Sequence, residues 1–356
     1  MSQVPAERQV TSLIGRCYAG LDASALATEV VRRLPRILSV DAAFFATVDP
    51  VTLLFTSAVA QEPLGAATPL FLDNEFGRQD VNKFAALAES ADPVGSLDRA
   101  TRGDRHSSAR YREVMAPLGL GDELRAALIA KKECWGVLCL HRENATYGFD
   151  AREVDLIRRI SPHVAEGLRR ALIVRAPERV ETEGEVPGII VLDAGLNVVS
   201  MSREAGKWLA EIGGAGWPPS SELPLAVYAA AARLTQPETD LAAPQPGATA
   251  RLRTHTGRWL SLHASRLNGP AGPQIGVVIE SAPATHVSSL LLSAYGLTEA
   301  QSRVTALVIK GHSTRQIVEE LHISANTVQE HLTAAFDKFG VRSRRELVAA
   351  VLTGKH

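Results

Sequence analysis

The chain has 356 residues, of which 46% are hydrophobic and 22% are charged, and its formal net charge is −1. This composition is typical of a globular protein, and the length favours two or three domains. The net charge excludes a protein whose whole surface binds polyanions. Cys17, Cys134 and Cys139 are too few and too scattered for a disulfide framework or a zinc site. No apolar run approaches the roughly 18 residues that span a bilayer, and no signal peptide is recognisable. We therefore expect a soluble protein of a reducing cytoplasm.

Helical and strand-like patterns alternate in the first part of the chain. Apolar residues three and four apart predict helices, and Asp22 is the expected N-cap of the second of them. The predicted helices are ERQVTSLIGRCYAGL, DASALATEVVRRLPRIL and DNEFGRQDVNKFAALAES. Short β-rich runs predict antiparallel strands. The predicted strands are AAFFATV, TLLFTSAVA, ELRAALIA and CWGVLCLHR, with KKE as the turn between the last two.

A long helix is predicted from about Ala151 to Ile173, with a kink or break at Pro162. Together with the preceding strands it predicts an α+β domain. The order of these elements and the strand KKECWGVLCLHR resemble GAF domains, which are sensor modules that bind small molecules. The resemblance implies a GAF-like domain with its N-terminal helix over residues 1–175, and a small-molecule effector.

A second α+β pattern occupies residues 187–283, after an acidic, proline-containing stretch, residues 176–186, that is predicted to be a linker. Two strands around a DAGLN turn, a helix that begins near Ser202, and three further strands are similar to the order of a PAS domain. HTGR and NGPAGP are the predicted turns between those last strands. Residues 213–247, rich in proline, alanine and glycine, are expected to be irregular, and SAPATHVSS is predicted to be a second linker.

Short helices with clear capping residues replace strands from residue 290 onward. The predicted caps are Thr298, Ser313, Ser324 and Ser343. Gly311 and Gly340 are expected to end the first and third helices in a left-handed conformation. The second and third helices, about eight and fourteen residues long around a three-residue turn, have the spacing of a helix-turn-helix. This region is therefore predicted to be a compact all-α unit of four helices.

Residues 297–352 resemble the LuxR-type, or NarL-type, DNA-binding domain at many fixed spacings, including LHISANTV and KFGVRSR. The resemblance implies double-stranded DNA as a partner, with the third helix in the major groove and a homodimer on paired half-sites. It implies the last helix as the dimer surface. Ala300-Gln301 stands where the family usually has an Arg-Glu pair, and Gln329 where it usually has lysine. The first departure is expected to weaken an internal ion pair, and the second to remove a DNA contact.

The predicted DNA contacts divide into phosphate contacts and base contacts. From Leu297 to His356 there are eight lysines and arginines against six acidic residues, so the affinity for phosphate is expected to be modest. Asn326 and Gln329 carry amides able to pair with adenine, and Glu330 a carboxylate able to accept from cytosine. The predicted DNA-binding residues are Arg315, Ser324, Asn326, Thr327, Gln329, Glu330, Thr333, Lys338, Arg342, Arg344 and Arg345.

The sequence thus predicts an α+β multidomain chain, with GAF-like and PAS-like antiparallel-sheet domains followed by an all-α helix-turn-helix domain over residues 290–356. The expected function is DNA-binding transcription regulation, controlled by an effector or by dimerisation in the sensor domains. The alternative is a signalling or scaffold protein whose helix-turn-helix no longer binds DNA.

An enzyme is not expected. His106 and Ser107 are nucleophile-like residue types, but RGDRHSSAR has no strand-to-helix elbow. Asp49 follows a strand as a phospho-acceptor would, yet the chain lacks the β/α alternation of a receiver domain. A structural role for His141 is favoured over haem ligation. No metal and no cofactor are expected.

Overall fold

The computed structural model describes residues 3–143, 148–173, 185–213, 223–235, 247–269 and 272–353. The chain divides into two compact units, Met1–Ser281 and Ala282–His356. Within the described residues, the first unit combines helices with antiparallel sheets and the second is helical, as predicted. No helix among these residues is long and apolar enough to cross a membrane.

The first half of the first unit is built around one sheet, in the order β2-β1-β5-β4-β3. Its elements are α1 Gln3–Cys17, α2 Ala23–Arg33, β1 Ala42–Val48, β2 Phe55–Ala60, α3 Thr68–Leu72, α4 Phe84–Glu89, β3 Val94–Ser96, α5 Leu97–Ala100, β4 Leu120–Ala130, β5 Glu133–Glu143 and α6 Ala151–Ala171. Two single π-helical turns, Asp73–Gly77 and Tyr111–Met115, lie between them. The predicted helical segment DNEFGRQDVNKFAALAES is therefore wrong over residues 78–83, which form a loop between the π turn and α4.

β4 and β5 form the predicted hairpin, and Lys131 and Lys132 turn the chain with positive φ angles of 54° and 68°. Every β4 residue from Leu120 to Leu128 is buried, because helices cover one face of the sheet and α3, α4 and the π turns lie on the other. On the helical side, α6 begins at the Asp150 capping box and runs without interruption through Pro162. The predicted break at Pro162 is thus wrong, since buried residues on both sides of the proline hold the helix against β4 and β5.

A second sheet, in the order β7-β6-β10-β9-β8, completes the first unit. Its elements are β6 Gly188–Leu192, β7 Val198–Met201, α7 Arg203–Ile212, α8 Leu225–Ala232, β8 Thr249–Arg253, β9 Trp259–Gly269 and β10 Gly272–Ser281. Ser202 caps α7 as predicted, by accepting from the Ala205 amide. The predicted acidic linker lies largely outside the described residues, and part of the NGPAGP turn does too.

α8 lies within the segment that was expected to be irregular, and that expectation is wrong for LAVYAAAA. Seven of its eight residues are buried, so the helix shows no polar face from which a helical period could be read. It contacts β2 and α3 on one side and β8, β9 and β10 on the other. The neighbouring residues 214–222 and 236–246 lie outside the described part of the chain.

One hydrophobic core extends across both sheets of the first unit, from Phe44 and Leu54 to Ile190 and Leu262. A buried ion pair reinforces it. Asp49, in the turn after β1, accepts from the backbone N, Nε and Nη2 of Arg251 on β8 at 2.9, 2.8 and 2.7 Å. Asp49 was rejected as a phospho-acceptor on sequence grounds. In the structure it forms a contact between the two sheets.

The second unit consists, in its described residues, of α9 Ala284–Ala294, α10 Glu299–Ile309, α11 Thr314–Leu321, α12 Ala325–Phe339 and α13 Arg344–Thr353. All four predicted serine and threonine caps accept from the amide three residues later. Gly311 and Gly340 end their helices at φ angles of 88° and 68°. The predicted second linker, SAPATHVSS, is wrong from Ala284 onward, because it opens α9, which carries buried Leu292 into the core of this unit.

Substitution of Asp49 by alanine is expected to destabilise the first unit by about 3–5 kcal/mol, because it removes the carboxylate from a guanidinium whose side chain is only 11% exposed. Glu7→Ala is the control. It removes an ion pair with Arg159 whose side chains are 61% and 50% exposed, and is expected to change stability by less than about 1 kcal/mol. Urea unfolding followed by tryptophan fluorescence measures both, since all four tryptophans lie in the first unit. Equal effects of the two substitutions would contradict the structural role.

Candidate nucleic-acid interface and sensor cavity

α11 and α12 form a helical pair around a tight turn. α11 ends at His322, which adopts a left-handed conformation with φ 53° and ψ 43°, and Ser324 caps α12 two residues later. Ile317 on α11 and Val328 on α12 are fully buried against the rest of the unit. The inner faces are thus fixed by packing, and the outer face of α12 is presented to solvent in a defined orientation.

The solvent face of α12 carries the predicted base-reading residues. Asn326, Gln329, Glu330 and Thr333 are exposed. The Asn326 amide donates to Glu330 Oε1 at 2.8 Å, and the Thr333 hydroxyl donates to the Gln329 carbonyl at 3.0 Å. Ser324 Oγ and Thr327 Oγ1 are 2.9 Å apart at the start of the helix. Among the described residues the Gln329 side-chain amide has no bonding partner, so it is the group on this face most open to a base edge.

Two of the predicted DNA-binding cations bond within the helical unit. Lys338 Nζ donates to the Gly296 carbonyl at 2.6 Å and to Gln301 Oε1 at 2.8 Å. Arg344 donates to the His312 carbonyl. Gln301, at the first departure from the family pattern, therefore keeps a contact with a lysine. Lys338 and Arg344 both join helix ends within this unit.

The remaining predicted cations are more exposed. The Arg315 side chain is 89% exposed and pairs with Glu319 at 3.0 Å. Arg342 and Arg345 are exposed at the start of α13. A phosphate contact at these positions requires at most the release of a solvent-exposed ion pair, which costs little.

A small pocket lies in the first unit, over the sheet strands β1, β4 and β5. α3 and the π turn Tyr111–Met115 form its other wall. Its apolar lining is Phe44, Ala60, Leu64, Phe71, Val114 and Met115, and its polar lining is Thr68, Arg110, Glu123 and His141. Apolar walls with a few convergent polar groups are typical of small-molecule sites.

Buried charges surround the polar end of the cavity. Glu123 accepts from Arg110 Nε at 2.8 Å and from Arg125 Nε at 3.1 Å, and Arg125 also donates to Glu75 at 2.7 Å. Burial raises the pKa of Glu123, but the two guanidinium groups outweigh burial and hold it at about 2. Burial lowers the pKa of His141 to about 4, so the imidazole is neutral near pH 7.

Glu123, Cys139 and His141 bring three potential metal-ligand atoms within 4.8 Å of one another. The surroundings disfavour a cation, however, because both Glu123 oxygens already accept from arginine. Burial also raises the pKa of the Cys139 thiol, which disfavours the thiolate that a metal needs. This set therefore fits a metal poorly.

The sequence reasoning did not identify this buried network. A usable signal existed in DELRAALIA, where Glu123 and Arg125 are two apart and so share one face of an otherwise apolar strand. Their partner Glu75 is 50 residues away, and no local pattern specifies such a pairing.

Comparison with known proteins identifies both regions. The model of the luxR family of bacterial regulatory proteins matches residues 296–351, and the GAF domain model matches residues 22–168. The chain is 36% identical over 56 residues to spore germination protein GerE of Bacillus subtilis (strain 168), an alignment covering 16% of this chain and 76% of GerE. The chain belongs to the luxR family of bacterial regulatory proteins.

Solved structures resemble about half of this luxR-family chain at low similarity. The GAF domain of an Acinetobacter phosphoenolpyruvate-protein phosphotransferase is 10% identical, with 50% of this chain and 100% of that chain covered and a TM-score of 0.34. A Vibrio cholera VqmA–ligand–DNA complex is 16% identical, with 48% and 83% covered and a TM-score of 0.22.

The luxR-family region, residues 296–351, contains all eleven predicted DNA-binding residues. The GAF region, residues 22–168, contains every residue that lines the cavity. The two candidate sites thus belong to two different matched regions, a polar exposed helix face in one and a mostly apolar pocket in the other.

The neutral, buried His141 predicts a specific pH dependence of stability. Its pKa is about 4 in the folded chain against about 6.5 unfolded, so between these values only the unfolded chain takes up the proton. Stability is therefore expected to fall as the pH drops from 6.5 to 4, by about 3 kcal/mol in total. Urea unfolding by tryptophan fluorescence of the native chain and His141→Gln over this range measures it. The substituted chain is expected to lose less stability, and parallel curves would contradict the assignment.

Proposed function

We propose that this luxR-family chain is a sequence-specific DNA-binding transcription regulator of the cytoplasm, with α12 in the major groove. The observation that carries the proposal is the fixed solvent face of α12, on which four polar side chains stand over a buried anchor of Val328 and Leu332. Side chains near the start of a recognition helix are the ones that reach base edges. We propose that the chain acts by binding and not as an enzyme, in keeping with a family of regulatory proteins.

DNA binding as a homodimer is part of the proposal. α13 exposes Leu352, a residue that is 39% accessible, on the helix that the family resemblance implies as the dimer surface. Two copies joined there would present two α12 helices to successive major grooves.

The first unit is proposed to control DNA binding through a small effector in the GAF cavity. α3 supplies Thr68 and Phe71 to the cavity wall, and it also contacts α8, which packs on the second sheet. Movement of α3 on binding would therefore reach both sheets. The strand–strand–helix and three-strand order of residues 187–283 supports a PAS-like module there, and the proposed domain limits are 1–175, 176–186, 187–283 and 290–356.

A second candidate function is a signalling or scaffold protein with a degenerate helix-turn-helix. It is favoured by one observation, namely that the exposed residues described on α12 before Lys338 include no lysine or arginine. Since phosphate contacts supply most non-specific affinity, weak binding to any duplex would favour this alternative.

Base reading is tested by Gln329→Ala and Asn326→Ala. Each is expected to relax base preference at its contacted position and to cost about 1–3 kcal/mol on the preferred site. Selection of bound sequences from a random duplex pool by the full-length chain is the measurement. Gln61→Ala, which removes an amide from the first unit, is the control and should leave the preference intact. Unaltered preference in both α12 variants would refute the assignment of this face.

Phosphate contact is tested by the salt dependence of DNA binding. Arg345→Ala is expected to reduce the slope of log affinity against log salt by about one, because Arg345 is exposed on α13. Lys338→Met should reduce it less, since the Lys338 ammonium donates to Gly296 and Gln301. Gel shifts over a range of salt concentrations measure both. Absence of any retained duplex with the native chain, even at low salt, would support the scaffold alternative.

A further inference from the structure

Two of the four polar residues that line the cavity have their bonding capacity committed to the protein. Arg110 donates through Nε to Glu123, through Nη1 to Asn74 at 3.3 Å and through Nη2 to the Val81 carbonyl at 3.1 Å. Both oxygens of Glu123 accept from arginine. A charged ligand would have to break these buried bonds. Arg110 and Glu123 therefore line the cavity without being available to bind an ion.

A third lining residue, Thr68, donates its hydroxyl hydrogen to the Gly65 carbonyl at 2.8 Å. His141 differs from the others. It is 3% exposed, and its Nδ1 is buried with no hydrogen-bond partner among the described residues. Its Nε2 lies 3.9 Å from Glu123 Oε1, beyond hydrogen-bonding distance.

An unpartnered buried imidazole nitrogen is destabilising, because it has given up its hydrogen bonds to water and gained none in the protein. Such a group is retained at a ligand site when the ligand supplies the partner. A neutral imidazole offers one donor and one acceptor, so it pairs with a hydroxyl, an amide or a carbonyl and does not require an ionised partner.

The net charge around the cavity points the same way. Arg110 and Arg125 are balanced by Glu75 and Glu123, all four buried, so a ligand with a net charge would remain uncompensated in an apolar enclosure. The six apolar lining residues, including Phe44 and Phe71, favour an apolar or aromatic body.

We propose that the effector is a small uncharged molecule with an apolar or aromatic body and one hydroxyl, amide or carbonyl group that hydrogen-bonds to His141. This assignment rests on the proposed function, because it takes the GAF cavity as the effector site. It adds the chemical class of the effector. Phe44, Phe71 and Met115 enclose the body of the molecule, and His141 is the specificity-determining residue.

Three matched fluorinated probes test the assignment by ¹⁹F NMR with the full-length chain. 4-Fluorophenol is uncharged with one hydroxyl, 4-fluorotoluene lacks the hydroxyl, and 4-fluorobenzoate carries a charge. 4-Fluorophenol is expected to bind about three- to tenfold more tightly than 4-fluorotoluene, the worth of one hydrogen bond, and 4-fluorobenzoate most weakly. Tightest binding of the benzoate, equal binding of phenol and toluene, or no binding of any probe would each overturn the assignment.

Substitutions locate the effect at His141. His141→Phe is expected to abolish the preference for 4-fluorophenol over 4-fluorotoluene, and His141→Gln, which keeps a donor and an acceptor, to retain part of it. His263→Phe, on the exposed face of β9, is the control and should behave as the native chain. A preference that survives His141→Phe in a chain with native tryptophan fluorescence would overturn the assignment.

Failure of the ligand class is separable from failure of the proposed function. Gel shifts of the same proteins report DNA binding without any probe. DNA binding together with a wrong probe order overturns only the ligand assignment. The expected probe order with no DNA binding overturns the regulator and leaves the cavity assignment standing.

Discussion

The sensor half of the molecule depends on one buried charge interaction. In it, the Glu123 carboxylate lies between the guanidinium groups of Arg110 and Arg125. A carboxylate buried in the centre of a sheet is unfavourable unless donors surround it. The two guanidinium groups provide those donors, and in doing so they join β4 to the segments that carry Asn74, Glu75 and Val81. The wall of the cavity opposite the sheet is therefore fixed by charge pairing as much as by apolar contact.

In the helical unit, charged side chains also bond to groups within the protein, but the consequence is different. Lysine and arginine side chains that sequence comparison would assign to DNA are used in part to join helix ends, as with Lys338 and Arg344. The surface of α12 that remains is polar and nearly uncharged. In the proposed complex with DNA, such a surface would take its specificity from amide geometry and its affinity from neighbouring arginines.

Local chemistry made much of this fold predictable, and long-range packing explains most of what was missed. The hydroxyl caps, the left-handed glycines and the β4–β5 hairpin follow from side-chain types at fixed spacing, and each is where the sequence indicates. α8 was missed because a helix buried on all sides has no period, and α9 because its apolar face begins in a polar-looking segment. Six lining residues are ordinary apolar types, so no cavity could be read from them. The predicted DNA-binding residues remain predictions, although the caps that position them were foreseen.

The common core of the two sheets has a consequence for how such proteins diversify. Sensor domains are usually exchanged between proteins as independent units joined by flexible linkers. Here Asp49 and Arg251 bond across the boundary, and α8 is buried against strands of both sheets. Grafting either half onto another output domain would expose an apolar surface and break the Asp49–Arg251 ion pair. Recombination is therefore expected to pass the two sheets on together, as a single inherited module.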